Sequence, residues 1–222
     1  MMAVPQKAYK GIPMEGVIAT WYTKNTKGDT SRFMTAARAV AERVPTGSRV
    51  LEVAPGPGYL AIEIAKSGRY DVTGLDISKS FVRIATENAR NAEVAVDFRH
   101  GNASHMPFAA ASFDYVVCMA AFKNFADPVG ALNEIHRVLK PGGRASIYDL
   151  RKDASRDAIE KGVRDMRLST LNAAMTRWAF RFWLLKRAYS RQALQRLAEQ
   201  SCFGTCDIEA DGIGFELRLT KS

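Results

Sequence analysis

Arg49-Val50-Leu51-Glu52-Val53-Ala54-Pro55-Gly56-Pro57-Gly58-Tyr59-Leu60 reads as a buried strand, a glycine turn and the start of a helix. The run Val50 to Val53 is short, apolar and β-branched, as a parallel strand covered on both faces requires. Gly56 and Gly58 allow a sharp turn and close approach of a ligand to the main chain. Leu60, Ile62, Ile64 and Ala65 then start an apolar helical face. A turn at the carboxyl end of a parallel strand is where open α/β sheets bind nucleosides.

The pattern repeats on both sides. Upstream, Met14, Val17, Ile18 and Trp21 are spaced to share one helical face over Met14 to Tyr22, and Thr23 to Thr30 reads as a loop. Ser31 is the expected cap of a helix reaching Val44, with Phe33, Ala36, Ala37 and Val40 inward and Pro45 and Gly47 ending it. Downstream come a second strand, Asp71 to Asp76, a helix capped by Ser78, a third strand from Ala95 to Arg99, and a fourth from Phe113 to Cys118. Asp127-Pro128 opens a helix through Leu139 that Pro141-Gly142-Gly143 should stop, and Ala145 to Asp149 is the fifth strand. Five alternations of strand and helix predict a doubly wound α/β fold with a mostly parallel sheet and helices on both faces. After Asp149, residues 154–188 read as a helical cap, Ser190 opens another helix, and strands Thr205–Ala210 and Phe215–Thr220 form an antiparallel hairpin on Asp211-Gly212. The expected sheet has seven strands, the last antiparallel.

The 222 residues, 47% hydrophobic and 25% charged, are ordinary for one globular domain. Its expected parts are an N-terminal lid and helix (1–45), a cofactor-binding half (46–150), a helical cap and helix (151–200) and terminal strands (201–222). No apolar run has the length of a membrane span, and the N-terminus lacks a continuous signal-like apolar segment, so a cytoplasmic location is expected. Cys118, Cys202 and Cys206 are expected to be reduced thiols, with no metal. Charge is local: between Arg151 and Arg196 twelve Lys or Arg face four acids, which is +8 of the total +9. Such a segment suits either contact with an anionic surface or a solvated helix face.

The ligand class follows from the turn itself. A dinucleotide fingerprint needs a third glycine where this chain has Tyr59. Glu52 stands two residues before the turn, where a carboxylate repels a pyrophosphate and accepts from an ammonium group or orders water around it. A cationic nucleoside fits better than a dinucleotide.

Glu52 to Gly58, Gly74-Leu75-Asp76-Ile77-Ser78, Gly101-Asn102-Ala103 with Met106-Pro107-Phe108, Phe113 to Val117 and Arg137 to Gly143 lie in order and in register. Together they resemble the class I S-adenosylmethionine-dependent methyltransferases, and within them the ubiquinone-biosynthesis C-methyltransferase group. The resemblance implies that S-adenosyl-L-methionine is the cofactor and S-adenosyl-L-homocysteine the product. It places Glu52, Ala54, Gly56 and Gly58 around the methionyl moiety and Asp76 on the ribose hydroxyls. Ile77 is expected on the adenine face, and Asn102 and the Ala103 N–H at the ring edge. The Met119 carbonyl would face the amine, and Tyr22, beside Trp21 in a lid, the methionine end. Two positions depart from the family: Asn102 replaces an Asp, and Ala54 replaces the first glycine, a change that also permits a cofactor-binding relative that does not methylate.

Methyl transfer from a sulfonium needs alignment and water exclusion more than covalent help. His100, His105 and His136 are not placed as a base, so the weak catalytic candidates are Tyr22 and Lys123, the latter able to bind an acidic group or to be a solvated loop lysine. Arg151, Arg164, Arg167, Met175, Trp178 and Trp183 would form an aromatic, partly basic cover over a flat or acidic small molecule, or else simply pack the cap. The run Met175 to Arg187 also suits an interfacial helix reaching a lipid or quinone. An RNA methyltransferase fits the charge, but no accessory RNA-binding module and no Asn-Pro-Pro-Tyr motif is present. A non-enzymatic cofactor-binding protein is the remaining alternative.

Overall fold

Strands β1 (Arg49–Val53), β2 (Asp71–Asp76), β3 (Asp97–His100) and β4 (Phe113–Met119) pair in parallel, because each is followed by a connection that must return over a face of the sheet. The computed structural model describes residues 9–10, 14–26, 30–165 and 185–222. Adding β5 (Leu139–Leu150), β6 (Asp207–Asp211) and β7 (Gly214–Thr220) gives one seven-stranded sheet in the order β3-β2-β1-β4-β5-β7-β6. Only β7 runs opposite to the other six strands.

Two-residue alternation deals the strand side chains to two layers. Val50, Val72, Tyr115 and Val117 meet Val40 of α2 (Thr30–Arg43) and Leu60 and Ile64 of α3 (Tyr59–Ala65). On the opposite face Leu51, Val53, Val116 and Cys118 meet Leu132 and Ile135 of α5 (Pro128–Val138) and Leu194 and Ala198 of α7 (Arg191–Glu199). Glu52 falls on the α3 side by the same alternation. Helix α1 is Gly16–Thr26, α4 is Lys79–Asn91, and α6 is Arg156–Asp165. Arg43 at the end of α2 donates to Ser146, Tyr148 and Glu216, clipping that helix to β5 and β7.

Several boundaries differ from expectation. Helix α1 continues through Thr23 to Thr26, where a loop was expected, and the Thr20, Thr23 and Thr26 hydroxyls donate to carbonyls four residues earlier. Its Val17, Ile18 and Trp21 are exposed, at 85%, 41% and 65%, so that apolar face is not turned into the core. Ser31 lies inside α2, whose first residue is Thr30. Strand β3 starts two residues late. Helix α5 ends at Val138 without help from Pro141-Gly142-Gly143; these residues lie within β5, where Gly142 N–H donates to Lys221 O and Lys221 N–H to Gly143 O, both at 2.9 Å. Ser78, Asp127 and Ser190 do cap their helices, accepting from Phe81, Gly130 and Ala193 N–H. Arg167, Met175, Trp178 and Trp183, and with them most of the cap, lie outside the described residues. No described helix is long and apolar enough to cross a membrane.

Candidate functional site

Past Val53 the chain pairs once more, Ala54 N–H to Leu75 O at 2.7 Å, and then turns through three left-handed residues: Ala54 (φ 58°), Gly56 (φ 55°) and Gly58 (φ 82°). The two glycines serve different ends. A Cβ on Gly56 would meet nothing within 4 Å, so the backbone there is open to a ligand. A Cβ on Gly58 would lie 2.7 Å from Phe98 Cζ and 2.9 Å from Ala85 Cβ, so packing, not ligand approach, requires that glycine. Ala54 is the strained member, since a side chain in the left-handed region costs roughly 1–2 kcal/mol. Replacing Ala54→Gly removes that strain but adds unfolded-chain entropy, and a net gain of about 0.5–1 kcal/mol is expected. The urea midpoint measures it; a fall in midpoint would mean that the methyl group's packing outweighs the strain.

Asp76, at the carboxyl end of β2, fastens this turn. Its Oδ2 accepts from Gly56 N–H at 2.9 Å and its Oδ1 from Ser78 N–H at 2.8 Å, while the residue is only 5% exposed. Burial raises its pKa to about 6 against the pull of those two hydrogen bonds. Each oxygen keeps a further lone pair. Beside it Ile77 is 39% exposed, an apolar surface flanking the acid.

Glu52, expected at the methionyl moiety, is nearly buried at the end of β1. It is 2% exposed, and its Oε2 accepts from Ala61 N–H in the first turn of α3 at 2.8 Å. That bond ties β1 to α3. Burial pushes its pKa up to about 8, with Ala61 opposing and the Asp76 charge adding to the shift. The folded chain thus holds a proton that the unfolded chain releases near its ordinary value of 4.5. Stability from this group is complete below pH 4.5 and is lost as pH rises toward 8. A Glu52→Gln variant should match wild type near pH 4.5 and exceed it at pH 8 by on the order of a few kcal/mol. Denaturation at the two pH values tests this; an equal difference at both would remove Glu52 as the source.

The remaining expected contacts divide. Asn102 Oδ1 accepts from Ser104 N–H at 3.0 Å, shaping the loop that presents Ala103. Met119 ends β4 next to Ala120, whose φ is 60°. Tyr22 packs its ring edgewise on Phe81, centroids 5.8 Å apart, which places α1 over the start of α4. Glu15, just before α1, holds that end of the helix by accepting from Lys79 and Ser80 N–H. Lys123 is not a free cation: its Nζ lies 2.6 Å from Asp149 Oδ1 and donates to Ala120 O at 2.8 Å, with the two side chains 11% and 0% exposed. His136 stacks edgewise on Phe203, between α5 and the segment after α7. Cys118 is buried, and Cys202 and Cys206 are free thiols.

Sequence reasoning missed Tyr9, Lys10 and Asp149. Tyr9 bridges Phe125, and Lys10 N–H donates to Asn124 O at 2.7 Å, so a segment without helical or strand periodicity is pinned beside the turn after β4. The phenol of Tyr9 is raised by burial and feels the charges of Arg187, Asp76 and Asp149, a measure of how central it lies. No local signal marked these residues; only the end of a predicted strand pointed to Asp149.

Residues 51–147 match the family model described as a methyltransferase domain. Among curated proteins, the chain is 36% identical over 125 residues to the demethylmenaquinone methyltransferase of Deinococcus radiodurans, covering 56% of this chain and 51% of that protein. It is 41% identical over 108 residues to that of Chlorobaculum parvum, covering 49% and 42%. The chain spans about half the length of the curated relatives it matches. A proposed S-adenosyl-L-methionine-dependent methyltransferase from Methanococcus maripaludis superposes with a TM-score of 0.76 at 20% identity, covering 97% of both chains. The [4+2]-cyclase SpnF superposes at 0.56 and 22% identity over 85% of this chain and 80% of that one. At such identities the likeness is one of fold.

Proposed function

We propose that this chain, whose residues 51–147 match a methyltransferase domain and whose fold is that of the S-adenosylmethionine-dependent methyltransferase it superposes on, transfers a methyl group from S-adenosyl-L-methionine to a small-molecule acceptor. One observation carries the cofactor half of this reading. A buried Asp76 clamps Gly56 N–H at the open part of the turn, with the exposed Ile77 beside it. An acid with spare lone pairs next to an apolar surface and a bare backbone suits a ribose and its base.

The residues present fit the group. Asp76 would accept from the ribose hydroxyls, Ile77 would cover the adenine, and the Ala103 N–H would meet the ring edge. Gly56 would let the methionyl part approach, and the end of β4 at Met119 would face its amine. When bound, S-adenosylmethionine supplies a sulfonium methyl whose C–S electron pair returns to sulfur as the acceptor's lone pair forms the new bond. Tyr22 and the lid helix α1 would exclude water, which matters because in-line alignment provides most of the rate. With Lys123 held by Asp149, an acceptor that loses its proton to solvent suits this reading.

The names of the curated relatives make a quinone-type ring the first acceptor class to try. Because the fold also serves a cyclase, the decisive experiment must read methyl transfer itself. Calorimetry with S-adenosyl-L-methionine and S-adenosyl-L-homocysteine, followed by mass detection of methylated product from a naphthoquinol and from a panel of phenols, tests both halves. Absence of any heat or thermal shift with either nucleoside would end the reading.

A further inference from the structure

Met119 closes β4, and Ala120 follows it in the left-handed region at φ 60°. Ala120 N–H donates to Tyr148 O of β5 at 2.7 Å. A trans peptide is planar, so the Met119 carbonyl of the same unit is directed the opposite way, toward β1. There β1 has ended at Val53 and Ala54 N–H has turned to Leu75 O, which leaves that carbonyl facing the start of the glycine turn.

An alanine at positive φ is strained and persists only where its surroundings over-determine it. Ala120 is held on both sides. Its N–H is on β5, and its carbonyl accepts from Lys123 Nζ at 2.8 Å, an ammonium that lies 2.6 Å from Asp149 Oδ1. Asp149 Oδ2 also accepts from Lys123 N–H at 2.9 Å, and Oδ1 from Leu150 N–H at 2.8 Å, so one carboxylate ties the end of β5 to both the backbone and the side chain of this lysine. The 3₁₀ turn Phe122–Asn124 that carries Lys123 is anchored from its other side, where Asn124 O accepts from Lys10 N–H at 2.7 Å. With that turn fixed, relaxation of φ at Ala120 must rotate the Met119–Ala120 peptide, and the Met119 carbonyl with it.

Stability alone does not call for such a pair. Its side chains are 11% and 0% exposed, and at that burial desolvation offsets most of the attraction, so apolar residues of similar volume would pack the loop as well. An apolar pair could not hold Ala120 O. A lone lysine could, but it would repel a cationic ligand, and Asp149 cancels that charge. Resting on the methyltransferase reading above, we propose that Lys123 and Asp149 are positioning residues for the amino end of the cofactor: they keep Ala120 left-handed and thereby hold the Met119 carbonyl where it accepts from the methionyl ammonium. The pair acts through the main chain.

Wild-type protein and two variants, the single Lys123→Met and the double Lys123→Met, Asp149→Asn, would be titrated with S-adenosyl-L-homocysteine and with its analogue lacking the amino group, thermal unfolding serving as the control for folding. The single variant leaves Asp149 its two backbone donors and the double variant leaves no charge of the pair buried, so either one carries the test if the other fails to fold. Wild type should bind S-adenosyl-L-homocysteine at least roughly tenfold more tightly than the analogue, the worth of one hydrogen bond from a charged group. In the variants that preference should fall to within roughly threefold, with the analogue bound as in wild type. Equal weakening of both ligands, which a merely structural role would give, an unchanged preference, or no preference in wild type would overturn the proposal. Failure of wild-type protein to bind either nucleoside would instead overturn the methyltransferase reading, so the two failures are distinguishable.

Discussion

Replacing Asp76→Ala should weaken S-adenosyl-L-methionine binding by about a hundredfold or more while the protein stays folded. Hydrogen bonds to a charged group are worth about 1.5–3 kcal/mol each, and the proposed ribose would lose two acceptors together. The loss compounds, because Gly56 N–H and Ser78 N–H now bond to this carboxylate and would no longer hold the turn in its binding shape. Calorimetry with circular dichroism as a control for folding measures the effect; an unchanged dissociation constant would move the nucleoside away from β2. The wild-type protein should show the same dependence through pH. With the pKa of Asp76 raised to about 6 by burial, its carboxylate takes up a proton as pH falls below that value. Cofactor affinity should therefore decline below about pH 6, and the decline should be absent in Asp76→Ala.

A second large effect is expected from Asp149→Ala, on stability. The side chain is fully buried and accepts from Lys123 Nζ, Lys123 N–H and Leu150 N–H. Removing it leaves a largely buried ammonium and two backbone donors without their acceptor, and breaking one side of such a pair costs about 3–5 kcal/mol. Chemical denaturation of the variant should show a loss of that size. Adding Lys123→Met should restore much of it by removing the stranded charge, whereas the same loss in the double variant would mean that the ion pair is not what holds the end of β5.

Most of the sheet was legible because parallel strands buried on both faces are short β-branched runs, and helices α4 and α5 between them carry their own caps. Ser78, Asp127 and Ser190 are read correctly for that reason: a cap depends on residues three apart in the chain. The failures share an opposite cause. Pro141-Gly142-Gly143 is a stop signal locally, yet Lys221, some eighty residues on, pairs with it and makes it part of β5. Lys123 looks like a loop lysine until the end of β5 brings Asp149 against it.

The glycine turn shows the same division at a single place. Local sequence determined that Ala54 to Gly58 turn sharply between a strand and a helix, and that Tyr59 leaves no room for a dinucleotide fingerprint, since backbone conformation and glycine spacing are properties of neighbours in the chain. Tertiary structure alone decided what each residue does there. Phe98, arriving from β3, requires Gly58 to be bare, and strand alternation puts Glu52 on the α3 side, where it accepts from Ala61 N–H. Burial and charge proximity are set by packing between distant segments, which no spacing along the chain encodes.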